Sequence, residues 1–421
     1  MPNKTDISPR SRFHVMAKPI GPLCNLDCTY CFYLHKQNLL ESSNQWHMAD
    51  EVLEHFIRQY IQGQGHDVII FSWQGGEPTL LGLEFFEKII TYEKKYASGK
   101  QIENDLQTNG VLLDDRWCEF LRKNNFLVGL SIDGPQYLHD KHRIDRAGKP
   151  TFDKVYRAAM LLRKHGVPFN TLTTVNRDNA KHPLDVYRFL RDQIYPRAIQ
   201  FNPCVEAKVF ETQAPPFWGS MEYPKLGHPM ANPGNDYSVV TDWSVNADDY
   251  GDFLCAIFDE WYAGDIGKTF VYNFECAISQ WMGIYGVMCV FGPICGKGLA
   301  IEHDGSIYSC DHFVYPEYKL GNIRDKNLAD MVFSDQQKKF GFVKGLSLPH
   351  YCQQCEFLFA CHGECPKNRI LRAPDREPGL NYLCSGLKKY FEHIKPYMEE
   401  LVVQLKSQKE IAFDRNRMLE E

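Results

Sequence analysis

The chain has no uninterrupted apolar run long enough to cross a bilayer, which takes roughly 18 or more residues. Residues 1–20 include basic side chains but lack the apolar core of a secretory signal. Excess basic charge is also absent, because 47 Lys and Arg stand against 53 Asp and Glu, a net charge of −6. These absences argue against membrane partners and a nucleic-acid partner, and they predict a cytoplasmic location.

Cysteine, in contrast, is abundant, with 15 in 421 residues. In a reducing cytosol, clustered cysteines indicate metal ligands or catalytic groups rather than disulfides. Four cysteines have no close cysteine partner in the sequence and are interpreted as small buried residues: Cys118, Cys204, Cys255 and Cys276. The other eleven fall into closely spaced groups.

The first group is Cys24-x3-Cys28-x2-Cys31. Three thiolates on so short a loop can bind one face of a 4Fe–4S cube and leave one iron without a protein ligand. An open iron can bind a substrate or cofactor. The group makes a poor structural zinc site, because such sites are closed and tetrahedral and no fourth ligand is near.

The later cysteines supply eight thiolates, enough for two fully ligated cubes. They are Cys289, Cys295, Cys310, Cys352, Cys355, Cys361, Cys365 and Cys384. Zinc is an alternative here, because the spacing from Cys352 to Cys365 would also suit a zinc ribbon. Spacing alone does not exclude it.

Short apolar runs alternate with helical patterns over the first half of the chain. Strands are predicted at 13–18, 68–72, 102–107, 127–131, 169–175 and 198–201, and helices at 50–61, 83–96, 114–123, 152–165 and 182–192. This alternation predicts a parallel sheet with outer helices. Six repeats are too few for an eight-fold barrel. An α/β fold with a partial (β/α)6 barrel is expected, its active site at the carboxyl edge of the strands.

Four regions are predicted. They are a barrel over 1–245, a helical connector over 246–285, a cysteine-rich domain over 286–390, and a C-terminal helix and tail over 391–421. The last helical pattern, 387–411, is expected to be interrupted near Pro396. The Pro- and Gly-rich stretch 206–240 holds five aromatics and favours an ordered lid or docking loop.

Several motifs resemble those of the radical S-adenosylmethionine (SAM) enzymes. Residues 24–33 look like their cluster loop, and Gly75-Gly76-Glu77-Pro78 looks like their methionine-binding turn. The eight later cysteines look like the twin-cluster SPASM domain. Within that subset the chain is similar to the anaerobic sulfatase-maturating enzymes, in residues 74–80, 106–110, 130–135, 310–313 and 320–323.

The resemblance implies three 4Fe–4S clusters and SAM as cofactors. It implies that a 5′-deoxyadenosyl radical takes a hydrogen atom from Cβ of a cysteine or serine in a sulfatase polypeptide, giving formylglycine without oxygen. A low-potential donor such as flavodoxin or ferredoxin would supply the electron. The oxidation removes two electrons and two protons, so a base and an electron acceptor are also needed.

The resemblance also implies which thiolates share a cluster. The open cluster takes Cys24, Cys28 and Cys31. The first auxiliary cluster takes Cys289, Cys295, Cys310 and Cys365, and the second takes Cys352, Cys355, Cys361 and Cys384. Spacing cannot give this interleaving, since eight cysteines divide into two fours in many ways.

Asp311, directly after Cys310, would be the base; the alternative is a turn aspartate that bonds its own backbone. The SAM contacts would be Tyr30, Gly76, Ser131, Arg143 and Val205. Arg143 suits a carboxylate, although a surface arginine in the charged run 140–146 is the alternative.

The remaining implied contacts also have alternatives. Ser131 and Asp133 would either bond a ribose or shape a turn. Gly76 could instead be glycine because the backbone before the next helix has no room or freedom for a side chain. Tyr33 and Gln74 would line the peptide site or simply pack.

Three other functions fit these residues less well. A SPASM-type enzyme that crosslinks or epimerises a peptide does not require the Cys310–Phe313 string with its aspartate. A non-catalytic iron–sulfur or zinc scaffold gives no reason for the Gly75–Pro78 turn beside a three-cysteine loop. An RNA-modifying radical enzyme lacks the expected basic stripe.

Overall fold

The computed structural model describes residues 12–40, 46–215, 223–284 and 288–418. All six predicted strands are present: His14–Lys18 (β1), Val68–Trp73 (β2), Gln101–Thr108 (β3), Phe126–Ser131 (β4), Phe169–Val175 (β5) and Ala198–Pro203 (β6). The intervening helices are Asp50–Gly63 (α1), Gly82–Tyr96 (α2), Asp115–Lys123 (α3), Gln136–His139 (α4), Phe152–Lys164 (α5) and Pro183–Phe189 (α6), the last continued by a π-helical turn, Leu190–Ile194. The predicted α/β alternation is confirmed.

Local sequence explains these elements. In α1, Val52, Phe56 and Tyr60 recur every fourth residue and are buried on one face. The α3 helix begins after Asp114, whose carboxylate accepts a hydrogen bond of 2.9 Å from the Trp117 amide. Strands β1 to β6 pair in parallel in chain order, so their carboxyl ends share one edge.

The second half of the chain extends this sheet rather than forming a detached domain. Its elements are Ala247–Gly264 (α7), Phe270–Val271 (β7), Tyr272–Trp281 (α8), Gly298–Glu302 (β8), Ser306–Tyr308 (β9), Lys319–Asn322 (β10), Leu328–Val332 (α9), Asp335–Leu346 (α10), His350–Gln353 (α11), Leu358–Cys361 (α12), Leu371–Arg372 (β11), Pro378–Leu380 (β12) and Cys384–Met418 (α13). The sheet order is β10-β9-β8-β1-β2-β3-β4-β5-β6-β7.

The seam between barrel and cysteine-rich region is therefore a pair of parallel strands. Strand β8 pairs with β1 over its whole length, and the last partners are Lys18 and Glu302. A 3₁₀ turn, Asp311–Phe313, follows β9 and returns the chain to this seam. The carboxyl end of β1 thus lies where the two regions meet.

The C-terminal helix is continuous through Pro396, so the predicted interruption is wrong. A proline inside a helix costs about 3 kcal/mol, which packing can offset. Here α13 buries Tyr390, Ile394 and Met398. The helix also crosses α7 at backbone contact, because a Cβ on Gly386 would lie 2.7 Å from the Ala247 carbonyl carbon.

Residues 216–222 of the segment 206–240 lie outside the described residues, and its other residues are held by hydrogen bonds and packing. The Leu226 amide donates to the Arg372 carbonyl oxygen (3.0 Å), and the Arg372 amide donates to the Pro224 carbonyl oxygen (2.9 Å). Ala231 packs with Leu371 and Leu380. The described part of the segment therefore joins the end of β6 to the cysteine-rich region.

Across the described parts of the chain, no helix combines the length and the apolar character needed to span a bilayer. The sequence predicts no secretory leader in residues 1–20. Residues 1–11 of that stretch lie outside the described residues.

Candidate active site

The three-cysteine loop follows β1 at the carboxyl edge of the barrel. Cys24, Cys28 and Cys31 are each partly buried. Burial raises the pKa of Cys24 and Cys28 to about 12 and that of Cys31 to about 11, and Cys31 raises the pKa of both other thiols further. Thiols this close and this poorly solvated become thiolates only if a cation compensates them, so the donor set fits iron.

The Gly75–Pro78 turn is fastened to the segment that leads into this loop. The Gly76 amide donates to the Gly21 carbonyl oxygen (2.8 Å), and the Glu77 amide donates to the Leu23 carbonyl oxygen (2.9 Å). The buried Glu77 carboxylate accepts from Thr79 and from the Asn109 amide at 2.6–3.1 Å. The turn, the cluster loop and the end of β3 are therefore one rigid unit.

Glycine at position 76 is required by this contact. A Cβ there would overlap the Leu23 carbonyl and lie 2.8 Å from the Pro22 carbonyl carbon, all of it backbone. The clash with neighbouring backbone therefore explains locally why residue 76 is glycine. The turn still lies beside the expected SAM site.

We expect Gly76→Ala to reduce SAM cleavage by about 100-fold, because the added methyl must displace Pro22 and Leu23 and with them Cys24. The rate of 5′-deoxyadenosine formation and the iron content measure the effect. Gly264→Ala is the matched control, since a Cβ at this position meets nothing within 4 Å. A Gly76→Ala enzyme that works at the parent rate would contradict the close-contact argument.

Arg143 is buried, with 7% of its surface exposed, so the surface alternative is wrong. Its Nη1 donates to the Tyr30 hydroxyl (2.9 Å), and that hydroxyl donates to Asp133. Burial opposes the charge on Arg143, but Tyr30, Cys28 and Asp133 outweigh burial and raise its pKa. Its Nε has no hydrogen-bond partner among the described residues, which fits an anionic ligand such as the SAM carboxylate.

The other residues expected at the SAM site form hydrogen bonds within the protein. Ser131 Oγ accepts from Gln107 (2.9 Å), and the Val205 carbonyl accepts from the partly buried Lys367. Asp133 uses one oxygen for Tyr30 and the other for the Thr174 amide (3.1 Å). The turn-shaping alternative therefore fits Asp133 better than a ribose contact does.

The eight later thiols form two sets in space. Cys310 has its pKa raised by burial and then by Cys289, Cys365 and Cys295. Cys365 thus joins the earlier cysteines, although it lies between Cys361 and Cys384 in sequence. This is the grouping that the resemblance implies.

The second set consists of Cys352, Cys355, Cys361 and Cys384. Burial and then Cys361, Cys352 and Cys355 raise the pKa of Cys384.

Among the described residues, no three His, Cys, Asp or Glu side chains are placed to hold a single metal ion. Thiolates of a cube bind different iron atoms and are accordingly spread further apart than the ligands of one ion.

Asp311 lies at the seam, next to Cys310, and is 13% exposed. Its carboxylate pairs with the buried Lys18. Burial opposes ionisation, but Lys18, His312 and Lys36 outweigh it and lower the pKa of Asp311. The carboxylate is therefore held ionised in an ion pair across the two regions, which the turn-aspartate alternative does not predict.

The two expected peptide contacts are at the same edge. The Tyr33 hydroxyl donates to Glu302, and Lys18 Nζ lies 4.3 Å from the centre of the Tyr33 ring. Gln74, after β2, donates to the Met16 sulfur. Both side chains are partnered within the protein, so packing accounts for part of their role.

The sequence did not predict a role for Lys18 or for a second ion pair between the two regions. Lys367 from the cysteine-rich region pairs with Glu206 after β6 at 2.6 Å. A lysine at the end of an apolar strand is an available signal for Lys18. Nothing local marks Glu206 and Lys367 as partners, because they are far apart in the chain.

Comparison with known proteins agrees with this arrangement. Residues 19–190 match the model of the radical SAM superfamily, and residues 289–356 match that of SPASM, an iron–sulfur cluster-binding domain. The second match favours iron–sulfur clusters over zinc for the later cysteines.

Two curated relatives match nearly the whole chain. The chain is 46% identical over 395 residues to the serine-type anaerobic sulfatase-maturating enzyme of Bacteroides thetaiotaomicron, covering 94% of this chain and 92% of that protein. It is 33% identical over 392 residues to the cysteine-type enzyme of Clostridium perfringens, covering 91% and 96%.

A solved structure has the same fold. Native anSMEcpe with bound AdoMet and Cp18Cys peptide superposes with a TM-score of 0.79 at 32% identity, covering 94% of this chain and all of that one.

Proposed function

The chain belongs to the anaerobic sulfatase-maturating enzymes, radical SAM enzymes with a SPASM domain, and from this premise we propose how its own residues carry out the reaction. It oxidises a cysteine or serine side chain of a sulfatase polypeptide to formylglycine without oxygen. The observation that carries the assignment of residues is the position of Asp311. Its carboxylate stands at the seam between the three-cysteine loop and the thiol set that includes Cys310.

Cys24, Cys28 and Cys31 would hold the open 4Fe–4S cluster, which with SAM supplies the 5′-deoxyadenosyl radical that removes the first hydrogen atom. Arg143 would bind the SAM carboxylate, since it is buried, charged and has an unpartnered Nε. Tyr30 holds Arg143 in place through its hydroxyl. Gly76, Ser131 and Val205 would border the same site.

Asp311 would take the second proton. From the oxygen of a serine target this gives the aldehyde directly, and from the sulfur of a cysteine target it gives a thioaldehyde, which water hydrolyses to the aldehyde with loss of hydrogen sulfide. An ionised carboxylate is the form that accepts a proton, and Lys18 maintains that form. The remaining electron needs an acceptor close by. The acceptor would be a 4Fe–4S cluster next to Asp311, held by the thiolates of Cys289, Cys295, Cys310 and Cys365. The second thiol set would hold another acceptor: Cys352, Cys355, Cys361 and Cys384.

The polypeptide would pass Tyr33 and Gln74 at the carboxyl edge of the barrel. We propose that a flavodoxin- or ferredoxin-type protein supplies the first electron and that the enzyme works in the cytoplasm, where clustered thiols stay reduced. No nucleic acid or membrane partner is proposed.

The test is to purify the protein without oxygen, count iron, and assay 5′-deoxyadenosine with a peptide containing Cys- or Ser-x-Pro-x-Arg. We expect about twelve irons per chain, since three cubes hold four each, and a peptide mass change that matches oxidation to formylglycine. About four irons, or zinc instead, would contradict the three-cluster assignment. SAM cleavage that leaves the peptide mass unchanged would favour an epimerase, and no SAM cleavage would favour a scaffold.

We further propose that serine is a target of this enzyme, because the relative with 46% identity is named as serine-type. With two peptides that differ only at the target residue, we expect the serine peptide to be converted to formylglycine. The cysteine peptide serves as the positive control for radical chemistry. Conversion of the cysteine peptide alone would contradict the serine assignment and leave the family assignment standing.

A further inference from the structure

Lys18 is a buried cation at the junction of the two regions. It is the last residue of β1 and is 1% exposed. Strand pairing sets it opposite Glu302 of β8. Burying a charged ammonium group is costly unless a partner of opposite charge is supplied, so the contacts of its Nζ are informative.

Those contacts lie on both sides of the seam. Nζ pairs with Asp311 from the cysteine-rich region and lies 4.3 Å from the centre of the Tyr33 ring, which belongs to the cluster loop. Tyr33 is itself fixed by its hydrogen bond to Glu302. Among the described residues, Lys18 is the only cation in an ion pair with Asp311.

The backbone of Lys18 is also constrained. A Cβ on Gly75 would lie 3.3 Å from Lys18 Cα, so the turn expected to face SAM packs directly against this residue. The position of the ammonium is therefore set by the barrel. The position of Asp311, in contrast, depends on a short 3₁₀ turn in the other region.

We propose that Lys18 is the positioning residue for the base. It holds the Asp311 carboxylate against the barrel, so that the base and the radical-generating side of the site keep a fixed geometry across the seam. This inference rests on the proposed function. A displacement of about 1 Å in such a geometry can cost about 100-fold in rate.

The test is a double-mutant cycle on the anaerobically purified, full-length holoenzyme. Lys18→Met removes the charge and keeps the length of the side chain, Asp311→Asn removes the carboxylate, and the third variant carries both. Lys88→Met is the matched control, because Lys88 forms an ion pair with Asp50 in which both side chains are exposed. Formylglycine and 5′-deoxyadenosine are measured for each enzyme, together with the temperature of unfolding.

We expect Lys18→Met to lower the rate of formylglycine formation about 100-fold, with 5′-deoxyadenosine formation and iron content within about two-fold of the parent. In the Asp311→Asn background the same change should cost no more than about two-fold, since Lys18 acts through Asp311. Lys18→Arg should recover part of the lost rate because it restores the cation.

Unfolding gives a readout that does not depend on turnover. Each single variant leaves one charge of the pair without its partner, whereas the double variant removes both charges. The double variant should therefore unfold at a higher temperature than the two losses added together predict. Undiminished formylglycine in Lys18→Met, or losses that simply add in the cycle, would overturn the positioning role. A parent enzyme that cleaves SAM without making formylglycine would instead overturn the proposed function.

Discussion

Alanine at Cys24, Cys28 and Cys31 together is expected to abolish SAM cleavage and to lower the iron content from about twelve to about eight per chain. In the proposed function the three thiols are the ligands of the open cluster, and the other eight cysteines would retain their own two clusters. The later thiol sets lie in a region that is joined to the barrel by strand pairing and does not contain this loop. The variant should therefore keep two clusters while losing all radical chemistry.

Iron analysis, 5′-deoxyadenosine formation and the electronic absorption of the anaerobic protein measure this result. The matched control is the double variant Cys118→Ala and Cys255→Ala, which removes cysteines that have no cysteine neighbour in sequence. It should keep about twelve irons and the parent rate of SAM cleavage. Loss of all iron in the triple variant would mean that the clusters do not assemble independently, and an unchanged iron content would contradict the ligand assignment.

The barrel could be predicted because its signals are local. Buried positions in β4 alternate along the strand, and apolar residues in α1 recur every fourth position. The pairing of β8 with β1 could not be predicted, because it depends on contacts between residues that are distant in sequence. The helix interruption predicted at Pro396 is wrong for a related reason. Packing of α13 on α7 decides whether the helix continues, and this packing also joins residues that are distant in sequence.

The candidate site also has parts that local sequence predicts and parts that depend on contacts between distant residues. Spacing revealed the three-cysteine loop, and the residues around it carried the family resemblance. Spacing left open which cysteines lie together, because Cys365 comes near Cys310, with Cys289 and Cys295, only once the chain is folded. Its own neighbours in sequence belong to the other set.

Charged residues carry the weakest local signals of burial. Arg143 lies in a run of polar residues that indicates a surface, yet the Tyr30 hydroxyl and Asp133 stabilise it in the interior. Lys18 ends an apolar strand, which alone is a weak signal, and its burial and its ion pair with Asp311 are seen only in the fold. Burial of a charge depends on its partner, and the partner comes from another part of the fold.

Asp311→Asn is expected to separate the two halves of the reaction. The amide keeps the size of the side chain but cannot accept the second proton, so formylglycine formation should fall by about 100-fold or more, the usual contribution of a general base. SAM cleavage should continue, because no residue of the three-cysteine loop or of the Gly75–Pro78 turn is changed. The ratio of 5′-deoxyadenosine to formylglycine should therefore rise by about the same factor.

Two further variants make the result specific to the carboxylate. Asp311→Glu retains the acid group and should recover part of the product, within the limits set by the buried Lys18. Asp335→Asn changes a fully exposed aspartate of the same region and should leave both products at parent levels. Undiminished formylglycine in Asp311→Asn would remove Asp311 as the base. Loss of 5′-deoxyadenosine as well would place its role before the proton transfer, because the carboxylate would then be needed for the site to assemble across the seam.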